Sequence, residues 1–346
     1  MASEALFKDI PPFPQDVPTA PMPTISFRSL RDRNDEVEED VLKACKDVGF
    51  FLLDLREDEL GTRLINEIDQ LFLICQETMN LPDDIKEQHL NDIPRSFLGF
   101  KPLGQAKTEK EEPDRYEMFN IAQDGLMGTT PLQDLPSSLY CHLPLIISYI
   151  RHCQDITSIL HKALARQLKL PEDTFISLQP PTKVSGTVLR FLKSYASPEA
   201  ADLRTSLIHH TDFGTITLLA NIVGGLQILQ PGGSPLDEKA WAWARPQPGC
   251  LIVNMGDAMT QWTGGVLRSS MHRVSHAPGD QRLVDKYSLA YLARPERNAS
   301  MKRLLNTHEA NGNKEDDNLT AWEWEVQKAM SMARKNFVPQ KKVLQV

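Results

Sequence analysis

A chain of 346 residues has room for two domains of about 150 residues, or for one large β domain that takes up most of it. Its 38 basic and 46 acidic side chains leave a net charge of −8 with no basic block, which argues against nucleic acid or an anionic membrane surface as the main partner. The 41% hydrophobic content excludes a mostly disordered chain, and no apolar run approaches the ~20 residues of a transmembrane helix.

Residues 1–14 lack a basic-then-apolar pattern, so no secretory signal is expected. Six prolines follow between positions 11 and 23, which predicts an extended arm over 1–22 packed on the domain surface. Asp35 with Glu38 has the form of a helix start, and Val37, Val41, Ala44, Cys45 and Val48 recur at helical spacing until Gly49. The apolar run 50–53 reads as a buried strand. A second helix is predicted over 60–79, with Leu64, Ile68, Leu71, Phe72 and Cys75 on its inner face. A third starts after Pro144, carries Ile146, Ile150, Cys153, Ile156, Leu160, Leu164 and Leu168 inward, and closes at Pro171. His152 and His161 on that helix are read as surface or flank histidines.

From about position 184 the texture becomes β-rich. Short runs at 187–192, 214–220, 226–229, 250–254, 270–274 and 287–292 are separated by Gly-Gly and Pro-Gly turn signals. Many short strands with regular turns suggest a sandwich or barrel. A last helix is expected over 319–333. The five cysteines show no CxxC spacing; they are read as small buried hydrophobes in a reducing, cytoplasmic setting. No internal repeat is apparent.

His210-Thr211-Asp212 puts an imidazole and a carboxylate on one strand face, two residues apart. His272 follows in Ser270-Met271-His272-Arg273-Val274. If the two strands lie across a barrel from each other, the three side chains can converge. Two imidazoles and one carboxylate make the facial triad suited to non-haem Fe(II), with positions left open for other ligands; a structural zinc site would be closed by four ligands. Asn254 and Asp257 are read as turn-fixing residues, His276 as a loop residue, His209 as facing away from the ligands, and Trp241 and Trp243 as packing. Trp322 and Trp324 either cover a pocket or pack in the core.

Residues 254–274, NxGDxxxxWTxGxxxSxxHRV in outline, resemble the isopenicillin N synthase-like branch of the 2-oxoglutarate/Fe(II)-dependent dioxygenases. Pro23 to Phe27, LKACKDVGFF at 42–51, Gly99-Phe100, the D-x-x-E-x-F segment 114–119 and Gly224 to Ile228 extend the resemblance over roughly 20–300. It implies an α+β chain with a double-stranded β-helix (jelly-roll) core over 181–300, a mainly helical region over 23–180 and a C-terminal helix and tail over 301–346, all in one integrated catalytic domain. It implies Fe(II) on His210, Asp212 and His272, with 2-oxoglutarate and O2 as cosubstrates. The family's Arg-x-Ser pair, which takes the far carboxylate of 2-oxoglutarate, is matched by Lys286-Tyr287-Ser288, with Lys standing for Arg. Arg282 is a second nearby cation. Leu189-Arg190 resembles the family's L-R-x-x-x-Y strand with one extra residue before Tyr195, which is a candidate cosubstrate contact. Arg115 and Glu117 are candidate substrate contacts. The implied reaction is oxidation of a C–H bond of a small molecule, a natural-product intermediate or modified amino acid, by hydroxylation, desaturation or cyclisation. An oxidase that needs no 2-oxoglutarate, and a binding module without turnover, remain alternatives. The oligomeric state is left open.

Overall fold

The computed structural model describes residues 6–93, 96–108, 111–305 and 314–336. Two stretches of the predicted tail, 306–313 and 337–346, and residues 1–5 of the predicted arm lie outside the described residues.

Twelve strands are described: β1 (Thr24–Ser26), β2 (Phe50–Asp54), β3 (Gly99–Lys101), β4 (Tyr116–Ala122), β5 (Val188–Ser194), β6 (Thr205–His210), β7 (Ile216–Asn221), β8 (Leu226–Leu229), β9 (Trp241–Trp243), β10 (Cys250–Met255), β11 (His272–Ser275) and β12 (Lys286–Leu292). They form an eight-stranded sheet in the order β1-β2-β10-β7-β12-β5-β4-β3 and a four-stranded sheet in the order β6-β11-β8-β9. Every pairing is antiparallel except β1 with β2. The two sheets with Greek-key-like crossovers are the jelly-roll architecture.

The helical spacing in the first half was legible to within a few residues. Helix α1 (Asp35–Asp47) is capped by Asn34, whose side chain accepts from the Val37 N–H, one residue ahead of the predicted cap. Helix α2 (Glu59–Met79) is capped in the same way by Asp58. Helix α3 (Leu143–Gln167) has Pro in its first turn, where the missing N–H costs nothing. These helices bury Val41, Leu64, Leu71, Ile150 and Leu160 against Phe191, Leu218, Leu251 and Leu289 on the outer face of the large sheet. A short helix α4 (Asp257–Trp262) and the longer α5 (Ala321–Asn336) close the β-rich half.

Three expectations change. The N-terminal region is not only helical: β1 to β4 complete the large sheet, and β4 is buried along its whole length. His161 is fully buried in α3 rather than on its surface. It meets Gln179 at 2.6 Å, and burial lowers its pKa to about 3, so it packs as a neutral ring. Cys45, Cys75 and Cys153 are buried as read, but Cys141 is exposed. The Pro-rich arm does lie on the surface: the Pro11 and Pro14 carbonyls accept from Gln281 and Arg245, and Thr19 bridges Trp243 on β9. No helix among the described residues is long and apolar enough to cross a membrane.

Candidate metal centre

β6 ends at His210 and β11 begins at His272, and the two histidines are opposite each other in the antiparallel register. The strands are therefore neighbours in the small sheet, and the convergence does not need them to lie across a barrel from each other. Side chains directly opposite on adjacent strands stand about 5 Å apart, so pairing alone brings the imidazoles together, with ring centroids 4.4 Å apart. Asp212 lies two residues beyond the strand. Its Oδ1 is 3.9 Å from Nε2 of His210 and 3.9 Å from Nε2 of His272. One donor atom from each of the three falls within 4.8 Å of the others, and no further His, Cys, Asp or Glu joins this cluster among the described residues.

The surrounding bonds prepare the donors. His210 Nδ1 contacts the Ile208 carbonyl at 2.9 Å and His272 Nδ1 contacts the Ser270 carbonyl at 3.1 Å. A carbonyl can only accept, so each Nδ1 carries the proton and each Nε2 keeps a free lone pair pointing inward. The same outer contact orients metal-bound histidines generally. Burial, then the neighbouring His272, lowers the His210 pKa and keeps the ring neutral. Burial alone would raise the Asp212 pKa, but the two histidines, Asn254 and Thr217 outweigh it and hold the carboxyl ionised. Phe50 meets the His272 ring edge-on at 5.5 Å, giving an apolar wall.

The Asn-x-Gly-Asp block does more than fix a turn. Asn254 sits on β10 and donates to Asp212 Oδ2 at 2.8 Å, beside Thr217 Oγ1 at 2.7 Å. Asp257 donates its backbone N–H to the Asp212 carbonyl at 2.8 Å and accepts from Thr211 through its side chain. Gly256 permits this clamp, because a Cβ there would stand 2.1 Å from the Gly214 carbonyl. The block thus holds the loop that carries Asp212 and leaves Oδ1 free. Arg273 faces the other way, bonded to Gln227 and stacked on Trp241. Asn254→Ala should weaken Fe(II) binding by about 10–100-fold, as loss of an outer-shell partner does, with the fold intact. A metal titration of the purified variant measures it, and an unchanged affinity would show that Asn254 only fixes a turn.

The donor set fits Fe(II): two neutral imidazoles, one carboxylate, and no fourth protein donor to close the site. Around it, Lys286 and Ser288 share the inner face of β12 and are both buried. Gly225 (φ +121°) lets the Lys286 stem pass; a Cβ there would lie 3.5 Å from its Cδ and 2.9 Å from the Ser275 carbonyl. Gly225 is three residues from Ile228, the β8 partner of His272. That is ~10 Å along the strand, the order of separation a five-carbon dicarboxylate bridges. The Lys286 ammonium has no carboxylate partner among the described residues, and burial lowers its pKa to about 8. The groups around it are Arg115, Arg204, Arg282 and His276, with no acid among them. A buried cation without an anion is a seat for an anionic ligand.

Of the remaining candidates, Tyr195, Arg115 and Arg282 line the same small pocket as Lys286, and Glu117 does not. The extra residue before Tyr195 sets it at odd spacing from Arg190 and Leu192, so it faces the opposite side. Lys193 Nζ covers its ring at 4.5 Å, and it borders the small basic pocket beside Lys286. Glu117 pairs with buried Lys86 at 3.2 Å on the helix side of β4. Arg115 pairs with Asp202 at 2.5 Å and donates to the Ala196 carbonyl. Arg282 donates to the Ser197 and Pro198 carbonyls.

A cavity of about 580 Å³ opens between β4, β5 and α5 and is mostly apolar. Phe213, next to Asp212, forms part of its wall, with Val188, Leu98, Trp322, Val326 and Met330. Trp322 lines it while Trp324 is buried in the core, which separates the two roles left open for these residues. Arg190 also borders it, and its charge is felt at both His210 and Asp212. Arg190 had a signal in the sequence: a lone charge inside the apolar strand 188–192.

Comparison with known proteins matches residues 184–295 to the 2OG-Fe(II) oxygenase superfamily and residues 22–137 to the N-terminal region of non-haem dioxygenases in morphine synthesis. A 2-oxoglutarate-dependent dioxygenase of Aspergillus fumigatus is 30% identical over 312 residues, covering 85% of this chain and 80% of the relative. Another, from Glarea lozoyensis, is 29% identical, with 81% of each chain covered. Among solved structures, a Neurospora crassa protein in complex with alpha-KG and thymine superposes with a TM-score of 0.71 at 19% identity, over 90% of this chain and 97% of that one. That likeness speaks for the fold.

Proposed function

The chain belongs to the 2-oxoglutarate/Fe(II)-dependent dioxygenases, in the isopenicillin N synthase-like branch, and on that premise we propose how its own residues divide the work and what it oxidises. His210, Asp212 and His272 hold Fe(II); the observation that carries this is the convergence of both Nε2 atoms on Asp212 Oδ1. With Fe(II) bound, 2-oxoglutarate and O2 supply the power to cleave an unactivated C–H bond, releasing succinate and CO2. Asp212 offsets part of the metal charge, and its Oδ2 bonds keep it from rotating. Lys286 and Ser288 hold the far carboxylate of 2-oxoglutarate. Lys is a point charge without the fork of Arg, so Ser288 and burial must supply the direction. The cavity under α5 receives the substrate and, by excluding water and fixing its pose, sets which C–H bond reacts.

The substrate is a small natural-product intermediate or a modified amino acid, with hydroxylation, desaturation or cyclisation as the outcome. The relation of residues 22–137 to dioxygenases of morphine synthesis supports that class, and the net charge of −8 disfavours nucleic acid. The helical region, β1 to β4 and the jelly-roll core act as one catalytic unit, since they share one sheet. A cytoplasmic location suits unpaired cysteines. The test is stoichiometry: with a turned-over substrate, succinate and oxidised product form together, and product without 2-oxoglutarate would make the enzyme an oxidase instead.

Lys286 also sets a pH dependence. Its ammonium binds the dicarboxylate and its neutral amine does not. With its pKa lowered to about 8 in the ligand-free protein, affinity for 2-oxoglutarate should be flat below about pH 8 and fall about tenfold per unit well above it. Anaerobic titrations from about pH 6.5 to 9 read this, and Lys286→Arg should flatten the fall because its cation does not titrate there. A wild-type affinity that stays level to about pH 9 would remove Lys286 from the cosubstrate site.

A further inference from the structure

Arg190 is the one charged side chain on the inner face of β5, and it borders the large cavity. Its Nε donates to Asn120 Oδ1 at 2.8 Å, a neutral partner. Among the described residues no carboxylate pairs with its guanidinium. The other charges on the cavity wall are already engaged. Arg294 pairs with Glu325 at 3.0 Å, and Arg297 stacks over the Trp322 ring at 4.1 Å. Asp124 accepts the backbone N–H groups of Ser185 and Gly186. An enclosed guanidinium whose two terminal nitrogens have no anion is costly unless a ligand supplies one. Planar forked recognition of an acid group is what Arg does best. Opposite it, Leu98, Val188, Trp322, Val326 and Met330 offer an apolar bed.

We infer that the cavity binds an amphipathic organic acid: Arg190 takes its carboxylate or sulfonate near the metal centre, and the apolar body lies under α5. This deepens the proposed function by naming the substrate class, and it rests on the cavity being the substrate site. Arg190 is distinct from the Lys286 seat, which lies on β12 beside Gly225. Two anions therefore bind together, a dicarboxylate on Lys286 and the substrate acid on Arg190.

The test uses a matched pair of fluorescent probes on the full chain. 8-Anilinonaphthalene-1-sulfonate is amphipathic and anionic; N-phenyl-1-naphthylamine has the same body without the charge. Arg190→Met should weaken binding of the sulfonate by about 10–100-fold, the loss expected for a charged hydrogen bond, and leave the neutral probe within about threefold. Retained binding of the neutral probe also shows that the variant is folded. Arg190→Lys keeps the charge and loses the fork, so its effect should be intermediate. Ala329→Trp, which fills the cavity, should abolish both. Equal sulfonate affinity in wild type and Arg190→Met overturns the inference, as does sulfonate binding that survives Ala329→Trp. The affinity of Arg190→Met for 2-oxoglutarate, read anaerobically with Fe(II), should stay within about threefold; a tenfold loss there with the sulfonate unaffected would assign Arg190 to the cosubstrate instead. Failure of the wild type to bind Fe(II) and 2-oxoglutarate would sink the functional reading and leave the probe results standing.

Discussion

Asp212→Ala should remove Fe(II) binding and turnover together. Asp212 is the only anionic donor of the three, and its Oδ1 is the point on which both Nε2 atoms converge. Loss of an outer-shell partner costs about 10–100-fold; loss of one of three ligands, and of the charge that offsets the metal, should exceed that range in both affinity and rate. His272→Ala should match it. The two variants differ in their cost to the fold. Asp212→Ala strands Asn254 and Thr217, which now donate to its Oδ2, at about 1–3 kcal/mol for an unmet buried polar group. That lowers the melting temperature of metal-free protein without unfolding it. Circular dichroism confirms the fold, and metal content by mass spectrometry gives the answer. An Asp212→Ala protein that still holds one Fe(II) per chain and turns over at the wild-type rate would contradict any account centred on this carboxylate.

Lys286→Ala should raise the KM for 2-oxoglutarate far more than it lowers kcat at saturation. The ammonium is buried, with Arg115, Arg204 and Arg282 nearby and no acid to satisfy it. The proposed bond to the ligand carboxylate is a charged one, worth about 1.5–3 kcal/mol, or about 10–100-fold in affinity. With Lys286 holding the end of the cosubstrate away from the metal, as proposed, a saturating concentration should restore most of the rate. Without the ligand, the variant should be as stable as the wild type or more so, because an unpaired buried cation has been removed. Initial rates against 2-oxoglutarate concentration separate the two parameters. A fall in kcat with KM unchanged would place Lys286 in the chemistry and leave the far carboxylate to another cation, with Arg282 the nearest alternative named by the sequence.

The candidate metal ligands stood out in the sequence because few patterns combine His-x-Asp, Asn-x-Gly-Asp and His-Arg-Val in this order. What the spacing could not tell was how they meet. Two strands separated by 62 residues can pair side by side or face each other, and only the register His272↔His210 decides it. The long helices α1 to α3 were legible because their apolar residues keep a period of 3.6. His161 occupies a position on that same inward stripe, between Leu160 and Leu164, so its burial was available to the periodicity; its chemical type suggested the surface instead. β4 was hidden for the opposite reason. Tyr116-Glu117-Met118-Phe119-Asn120-Ile121-Ala122 is covered on both faces and carries no alternation. β6 was legible only at its end: His210 to Asp212 read as strand, whereas the strand runs over Thr205–His210, with little apolar signature, and stops before Asp212. The cavity could not be read at all, since its walls come from β4, β5, the Asp212 loop and α5, segments joined only by the fold. Function at such a site is set by loops and a terminal helix over a fixed scaffold.

The most direct test is an anaerobic titration of the metal-free protein with Fe(II) and 2-oxoglutarate, followed by visible absorption. Chelation of the keto acid by an iron held on His210, Asp212 and His272 should give a charge-transfer band that saturates at one iron and one 2-oxoglutarate per chain. It should be absent in Asp212→Ala and should need more 2-oxoglutarate in Lys286→Ala. A wild-type protein that gives no band, or a band of equal strength in Asp212→Ala, would contradict the account.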